Sequence, residues 1–158
     1  MMRSLAFALL LAAASCSGGG SDETATGAGE TAEPAPVIAA DMAMPVDEPF
    51  CAFSAEGSTP DGNYVFVTSL GDSVYHGYAK LDGDVTKLTE VEAGFGAGIE
   101  TRRYVNDDES VELEVILLEA GETDAGVSYT GSVRPIFPAE GDAVKFEGAC
   151  AYDGAADE

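Results

Sequence analysis

Residues 111–133 read VELEVILLEAGETDAGVSYTGSV, and this stretch decides the fold class. Apolar side chains recur at every second position from Val111 to Leu117 and again from Val127 to Val133. A period of two is typical of a strand with one buried face, because successive side chains of a strand point to opposite faces. The stretch therefore predicts two half-buried β-strands.

Strand patterns continue over the chain from residue 51 onward. Counted with the two strands above, they number about eight: a strand beginning at 51, then 64–70, 74–81, 85–91, 99–105, 111–117, 127–133 and 144–150. Residues 64–70 are apolar on both faces, which indicates a central strand. Asp82-Gly83 predicts a tight type I′ hairpin turn. Consecutive strands with short turns disfavour a βαβ arrangement, so we predict an all-β domain, a small antiparallel barrel or a sandwich.

Two cysteines lie near the ends of this domain. Cys51 shares a strand face with Phe53, and Cys150 shares one with Phe146, so both thiols are predicted to point into the core. In an oxidising compartment such a pair most simply forms a disulfide. The bond would tie the first strand to the last, either as neighbours or across two packed sheets.

The N-terminus, MMRSLAFALLLAAASC, resembles the signal of a bacterial lipoprotein. Arg3 supplies a positive charge, and residues 5–14 form an apolar core too short to span a bilayer as a mature helix. Small residues then lead into Cys16, the position at which lipoproteins are lipidated. The other interpretation is an ordinary secretory signal followed by an incidental cysteine.

Composition divides the chain into four parts. We predict a signal peptide over 1–15, a lipidated Cys16 opening a disordered tether over 16–48, a β domain over 49–153 and an acidic tail over 154–158. The tether is rich in Gly, Ser, Thr, Ala, Glu and Pro and cannot bury enough apolar surface to fold. The lipid implies anchoring in the bacterial cell envelope. Ser17 after the cysteine favours the outer membrane, by resemblance to enterobacterial lipoproteins.

Charge restricts the classes of partner. The chain has 7 Lys and Arg residues against 29 Asp and Glu residues, a formal net charge of −22. Such a protein repels nucleic acid and anionic head groups, so we predict no nucleic-acid partner and, for a charged partner, a cationic protein. The same acidity is also explained by solubility alone.

No residue pattern predicts catalysis. His76, the single histidine, lies in the middle of a predicted strand, where a surface or hydrogen-bonded role is expected, and no GxSxG nucleophile motif is present. Asp82-Gly83-Asp84 and residues 106–109 place carboxylates in turns, but neither matches an EF-hand loop. We predict a protein that is not an enzyme and has no cofactor and no metal.

Two segments are candidates for partner contact. Residues 94–98, GFGAG, predict an exposed glycine-rich loop in which Phe95 and Gly96 meet a partner. On the strand that follows, Arg102 and Arg103 must point to opposite faces. Because the apolar Ile99 and Val105 share the face of Arg103, we expect Arg103 to turn inward and form an ion pair.

A resemblance to a known family covers about thirty residues. Residues 78–83, YAKLDG, followed by Leu88, together with a lipidated cysteine and cysteines in the first and last strands, resemble the bacterial lipoprotein inhibitors of c-type lysozyme. The Ser-x-Ser-Gly-x-Arg-Tyr loop of that family corresponds here to residues 93–104, AGFGAGIETRRY, in which Arg103-Tyr104 match and the serines do not. The chain also has no tryptophan. The resemblance implies that Arg103 and Tyr104 belong to the binding site.

Two functions therefore stand as expectations. The first is a membrane-anchored envelope lipoprotein whose small, non-catalytic β domain binds an unidentified partner or has a structural role. The second is an inhibitor of a cationic hydrolase such as c-type lysozyme.

Overall fold

The computed structural model describes residues 33–59, 62–124 and 126–152. The predicted signal peptide, the lipidation site Cys16 and the acidic tail lie outside the described residues. Within the described part of the chain there are nine strands: β1 (Ile38–Ala39), β2 (Cys51–Ala55), β3 (Tyr64–Leu70), β4 (Tyr75–Leu81), β5 (Asp84–Gly96), β6 (Ile99–Asn106), β7 (Glu112–Thr123), β8 (Gly126–Phe137) and β9 (Val144–Ala151).

Eight of these strands close into a barrel. Strands β2 to β9 follow one another as antiparallel neighbours, and β9 pairs back onto β2. The all-β prediction is confirmed, and of the two architectures left open the barrel is the one observed. The Asp82-Gly83 turn is also confirmed, because both residues have the positive φ that a type I′ turn requires (51° and 99°).

The disulfide lies at the seam where the barrel closes. Cys51 and Cys150 are direct cross-strand partners on β2 and β9, and their sulfur atoms are bonded. Both cysteines are buried, as their strand faces predicted. The first and last strands of the barrel are therefore held together by backbone pairing and by a covalent bond.

The ordered domain begins before the predicted boundary at Pro49. Strand β1 pairs with the end of β4, where Ile38 lies opposite Leu81. Met42 forms a bridge to Tyr64 and is 1% exposed. The expected tether over 16–48 is thus wrong in its distal part, because a composition averaged over the whole segment conceals the short apolar run around Ile38 and Met42.

Large apolar side chains fill most of the barrel interior. The innermost of them are Phe53, Phe66, Leu88, Tyr104, Leu113, Val115, Val133 and Phe146. The period-two pattern in residues 111–133 is confirmed, since Leu113, Val115 and Val133 all face inward. Residues 65–68 are buried on both faces, as expected of a central strand. Among the described residues, no helix is long and apolar enough to cross a membrane.

Candidate functional site

One end of the barrel holds a cavity of about 220 Å³. This end, the mouth, is where β2 and β4 begin and where β9 finishes. The floor of the cavity consists of buried core side chains: Phe53, Phe66, Thr68, Val115 and Leu117. Its rim consists of half-buried or exposed side chains: Phe50, Tyr75, Val127, Tyr129 and Tyr152. The site is therefore apolar below and rich in aromatic rings above.

A charged cluster on β6 forms one wall of this cavity. Glu100, Arg102 and Tyr104 occupy alternate positions of the strand and face the interior. The guanidinium of Arg102 contacts Glu100 Oε2 at 2.8 Å through Nη2 and Glu90 Oε2 at 3.0 Å through Nη1. The Tyr104 hydroxyl donates to the same Glu90 oxygen at 2.9 Å. One cation thus holds two carboxylates in place.

Two aromatic rings enclose the guanidinium. Its central carbon lies 5.6 Å from the ring centre of Tyr75 and 5.7 Å from that of Phe95. Both distances are within the range of cation–π attraction. The side chain of Arg102 is 17% exposed, so the network sits at the boundary between the core and solvent.

Burial, hydrogen bonds and nearby charges shift the pKa values of Arg102, Tyr104 and Tyr129. Burial acts to lower the pKa of Arg102, but the hydrogen bonds to Glu100 and Glu90 outweigh it and the pKa is raised. Burial and the charge of Glu90 raise the pKa of the Tyr104 hydroxyl. Burial and the charge of Glu100 raise the pKa of Tyr129 at the rim. Arg102 therefore stays charged and Tyr104 neutral around neutral pH.

A β-bulge in β5 places Phe95 against Arg102, beside the cavity. The pairing of β5 with β6 shifts between Glu90 and Glu92. A bulge inserts one extra residue, so the face on which the following side chains lie is exchanged. Beyond it, Ala93 lies opposite Arg102 and Phe95 lies opposite Glu100, on the cavity side of the hairpin.

The predicted glycine-rich loop is mostly strand. Phe95 and Gly96 lie in β5, and Gly96 pairs with Ile99. The turn consists of Ala97 and Gly98, both with positive φ. Phe95 is nonetheless 72% exposed, so it remains available for contact.

The expected orientation of the two arginines is wrong. Arg103 lies on the outer face, 43% exposed, with an ion pair to Glu92 at 2.9 Å and another to Glu112. Arg102 is the arginine that faces inward. The reason is Tyr104, whose ring is 1% exposed and sets the face of the whole strand.

We call Glu90, Glu100, Arg102 and Tyr104, with Phe95 against Arg102, the mouth cluster. Of the four predicted contact residues, two belong to it. Phe95 contacts Arg102, and the Tyr104 hydroxyl donates to Glu90, the carboxylate that pairs with Arg102. Arg103 lies on the other face, and Gly96 lies at the hairpin tip. Sequence reasoning missed Glu90, Glu100 and Arg102. The alternation Glu100-x-Arg102-x-Tyr104 carries a signal for the latter two, because a large aromatic residue indicates the buried face.

The other sequence candidates lie away from the mouth. His76 is on the outer face of β4, where its Nδ1 lies 3.4 Å from Thr89 Oγ1. Residues 106–111 form a hairpin turn held by Asn106, Asp108 and Ser110. Among the residues with described positions, no group of three His, Cys, Asp or Glu side chains is placed to hold a metal.

Fold and site together define a small up-and-down β-barrel with an aromatic, charge-lined cavity at one end. Eight-stranded barrels are wide enough for a packed interior or for one small ligand. No protein-family model matches the chain, and no curated protein or solved structure matches it. Function then follows from the chemistry of the site, because a fold alone does not define it.

Proposed function

We propose that this chain is a lipid-anchored protein of the bacterial cell envelope whose barrel is a non-catalytic binding module, with its binding site at the mouth. The observation that carries the proposal is the cavity of about 220 Å³, open to an aromatic rim, in a barrel otherwise filled by side chains. A concave, mostly apolar site with a few fixed polar groups is the usual form of a binding site. The lipoprotein-type N-terminus and the disulfide both fit an extracytoplasmic location.

The geometry favours binding over acid–base chemistry. Arg102 already pairs with both carboxylates of the cluster, and its guanidinium lies between two rings. The raised pKa values of Arg102 and Tyr104 mean that neither group exchanges a proton near neutral pH. Fixed charges of this kind orient a bound molecule and do not transfer protons to it.

Capture from envelope extract tests the binding function. Residues 17–158 retain the whole described barrel, and the immobilised protein is compared with Phe95→Ala at the mouth and with Val85→Ala at the opposite end. Both side chains are exposed, so neither change disturbs the core. We expect a bound molecule to be retained by Val85→Ala and reduced at least tenfold by Phe95→Ala. Capture that is indifferent to Phe95 would contradict a site at the mouth.

Anchoring is tested separately by mass spectrometry of protein isolated from cells. We expect an acylated N-terminal peptide beginning at Cys16. An unacylated start would remove the membrane anchor from the proposal and leave the binding module intact.

Inhibition of a cationic hydrolase is the second candidate. The net charge of −22 favours it, because such a charge steers a basic enzyme toward the domain. The test is c-type lysozyme activity with and without residues 17–158, at low and at physiological salt. Lack of inhibition at both salt concentrations eliminates this candidate.

A further inference from the structure

We propose that the mouth cavity binds a small organic cation, an amine or quaternary ammonium compound with an apolar body. The cationic end would lie against Glu100 and the aromatic rim, and the apolar body would lie on the floor of the cavity. This inference rests on the proposed binding function and specifies the chemistry of its ligand.

Charge balance at the site decides between a cation and an anion. Among the described residues that line the cavity, Arg102 is the one basic side chain. It faces two carboxylates, Glu90 and Glu100, so the cluster carries one negative charge in excess. An anion would have to displace a carboxylate from Arg102, against a protein of net charge −22. A cation supplies the charge that the cluster lacks.

Glu100 is placed to accept a donor from the ligand. It lines the cavity, and its contacts with Arg102, at 3.3 Å to Nε and 2.8 Å to Nη2, both use Oε2. Tyr129 also hydrogen-bonds to this carboxylate. A carboxylate has about four acceptor sites, so Glu100 still retains acceptor capacity toward the cavity. A hydrogen bond from an ammonium group to a carboxylate is among the stronger ones in proteins.

The rim supplies the second element of cation recognition. Phe50 and Tyr75 stack at 5.0 Å in a tilted arrangement, and Tyr129 and Tyr152 line the same opening. Aromatic faces attract ammonium groups, and clusters of such faces are used to bind quaternary amines. The floor of Phe53, Val115 and Leu117 complements an apolar body. A volume of about 220 Å³ limits the ligand to a size below that of a typical drug.

Three probes that share a phenyl ring and differ in charge test the inference. Residues 17–158 are titrated with 2-phenylethylamine, phenylacetate and 2-phenylethanol. The chain has no tryptophan, so tyrosine fluorescence follows binding directly, and NMR shifts of Tyr75, Tyr129 and Tyr152 locate it. We expect the amine to bind at least tenfold more tightly than either of the other two probes.

Two matched glutamate variants assign the role of Glu100. Glu100→Gln should weaken binding of the amine about tenfold. Glu114→Gln is the control, because Glu114 also pairs with an arginine, Arg134 at 2.8 Å, but on the outer face of the barrel. The rim variant Tyr152→Ala provides an independent measurement and should weaken binding about two- to fivefold.

Several results would overturn the inference. Equal or tighter binding of phenylacetate or the alcohol removes the preference for a cation but leaves a ligand site at the mouth. Absence of binding by all three probes, or equal weakening by Glu114→Gln and Glu100→Gln, overturns it as well. Failure of the proposed function is distinguished by the envelope capture experiment, which depends on Phe95 and not on these probes.

Discussion

Arg102 is the residue on which the mouth cluster depends, because it forms ion pairs with two carboxylates, Glu90 and Glu100, at once. Replacing it with methionine keeps an unbranched apolar stem but removes the guanidinium, which leaves Glu90 and Glu100 without a cation. We expect Arg102→Met to lower the free energy of unfolding by about 3 kcal/mol, the typical effect of breaking a largely buried ion pair. Urea denaturation measures the change.

The control is Arg134→Met, which breaks an outer pair whose arginine is more exposed. Exposed pairs contribute little, so the expected loss is under about 1 kcal/mol. Equal losses in the two variants would show that the inward cluster contributes no more to the free energy of unfolding than the exposed ion pair does.

Tyr104 makes the stability of the barrel depend on pH in the alkaline range. Its pKa is raised in the folded state by burial and by Glu90, so the folded protein holds this proton more tightly than the unfolded chain does. The resulting stability is present below the ordinary tyrosine pKa of about 10 and is lost as the pH rises above it. Urea midpoints measured from about pH 8 to about pH 11 should fall.

Tyr104→Phe should flatten this fall and, through the lost hydrogen bond, cost about 1 kcal/mol at neutral pH. Tyr78→Phe retains Tyr104 and should retain the slope. If the urea midpoint of Tyr104→Phe fell with pH as steeply as that of the unaltered protein, the pH dependence could not be assigned to Tyr104.

At the scale of the strand, regular alternation was predictable and its interruptions were not. Strand β7 and the first part of β8 carry clear period-two patterns, and the structure follows them. Strand β6 has apolar and polar side chains on both faces. The prediction based on Ile99 and Val105 therefore chose the wrong face as the buried one. The β-bulge at Glu90 and Glu92 leaves no pattern in local composition, because the pairing with β6 creates it.

Strand β4 makes room for the site through a glycine. A Cβ at Gly77 would lie 2.6 Å from the ring of Phe66 and 2.9 Å from that of Tyr104. Gly77→Ala must therefore displace both rings, and we expect a loss of about 1–3 kcal/mol in thermal or urea unfolding. Gly96→Ala is the control, because nothing lies within 4 Å of the added carbon. If Gly77→Ala left the stability unchanged, the two rings would be able to shift without a cost in free energy.

For the whole molecule, the sequence indicated the eight strands of the barrel and their connections, but not β1 and not the closure. Short turns and eight strand patterns fit a sandwich as well as a barrel, because both bury one face of each strand. Closure depends on pairing between β2 and β9, about a hundred residues apart, and no local pattern encodes such contacts. The site follows from closure, since its lining combines Phe53 of β2, Arg102 of β6 and Tyr129 of β8. The cavity therefore could not be predicted from the sequence.

The disulfide at the seam leads to the prediction for the whole molecule. It closes a loop with a sequence separation of 99 residues, so it mainly restricts the unfolded chain. The double variant Cys51→Ser with Cys150→Ser should lose up to about 4–5 kcal/mol in urea denaturation, the chain-entropy value for such a loop. Backbone pairing from Cys51 to Ala55 persists, so the barrel should still close and retain its β-sheet circular dichroism.

Hydrogen exchange separates this entropic effect from local damage at the seam. If the bond acts through the unfolded chain, protection falls by a similar factor in β2 and in the distant strand β7, because global unfolding becomes easier everywhere. If the bond instead stabilises only the pairing of β2 with β9, protection falls first in these two strands, and the protection of β7 is unchanged. We expect the uniform loss, since the ladder from Cys51 to Ala55 pairs with β3 on one side and with β9 on the other.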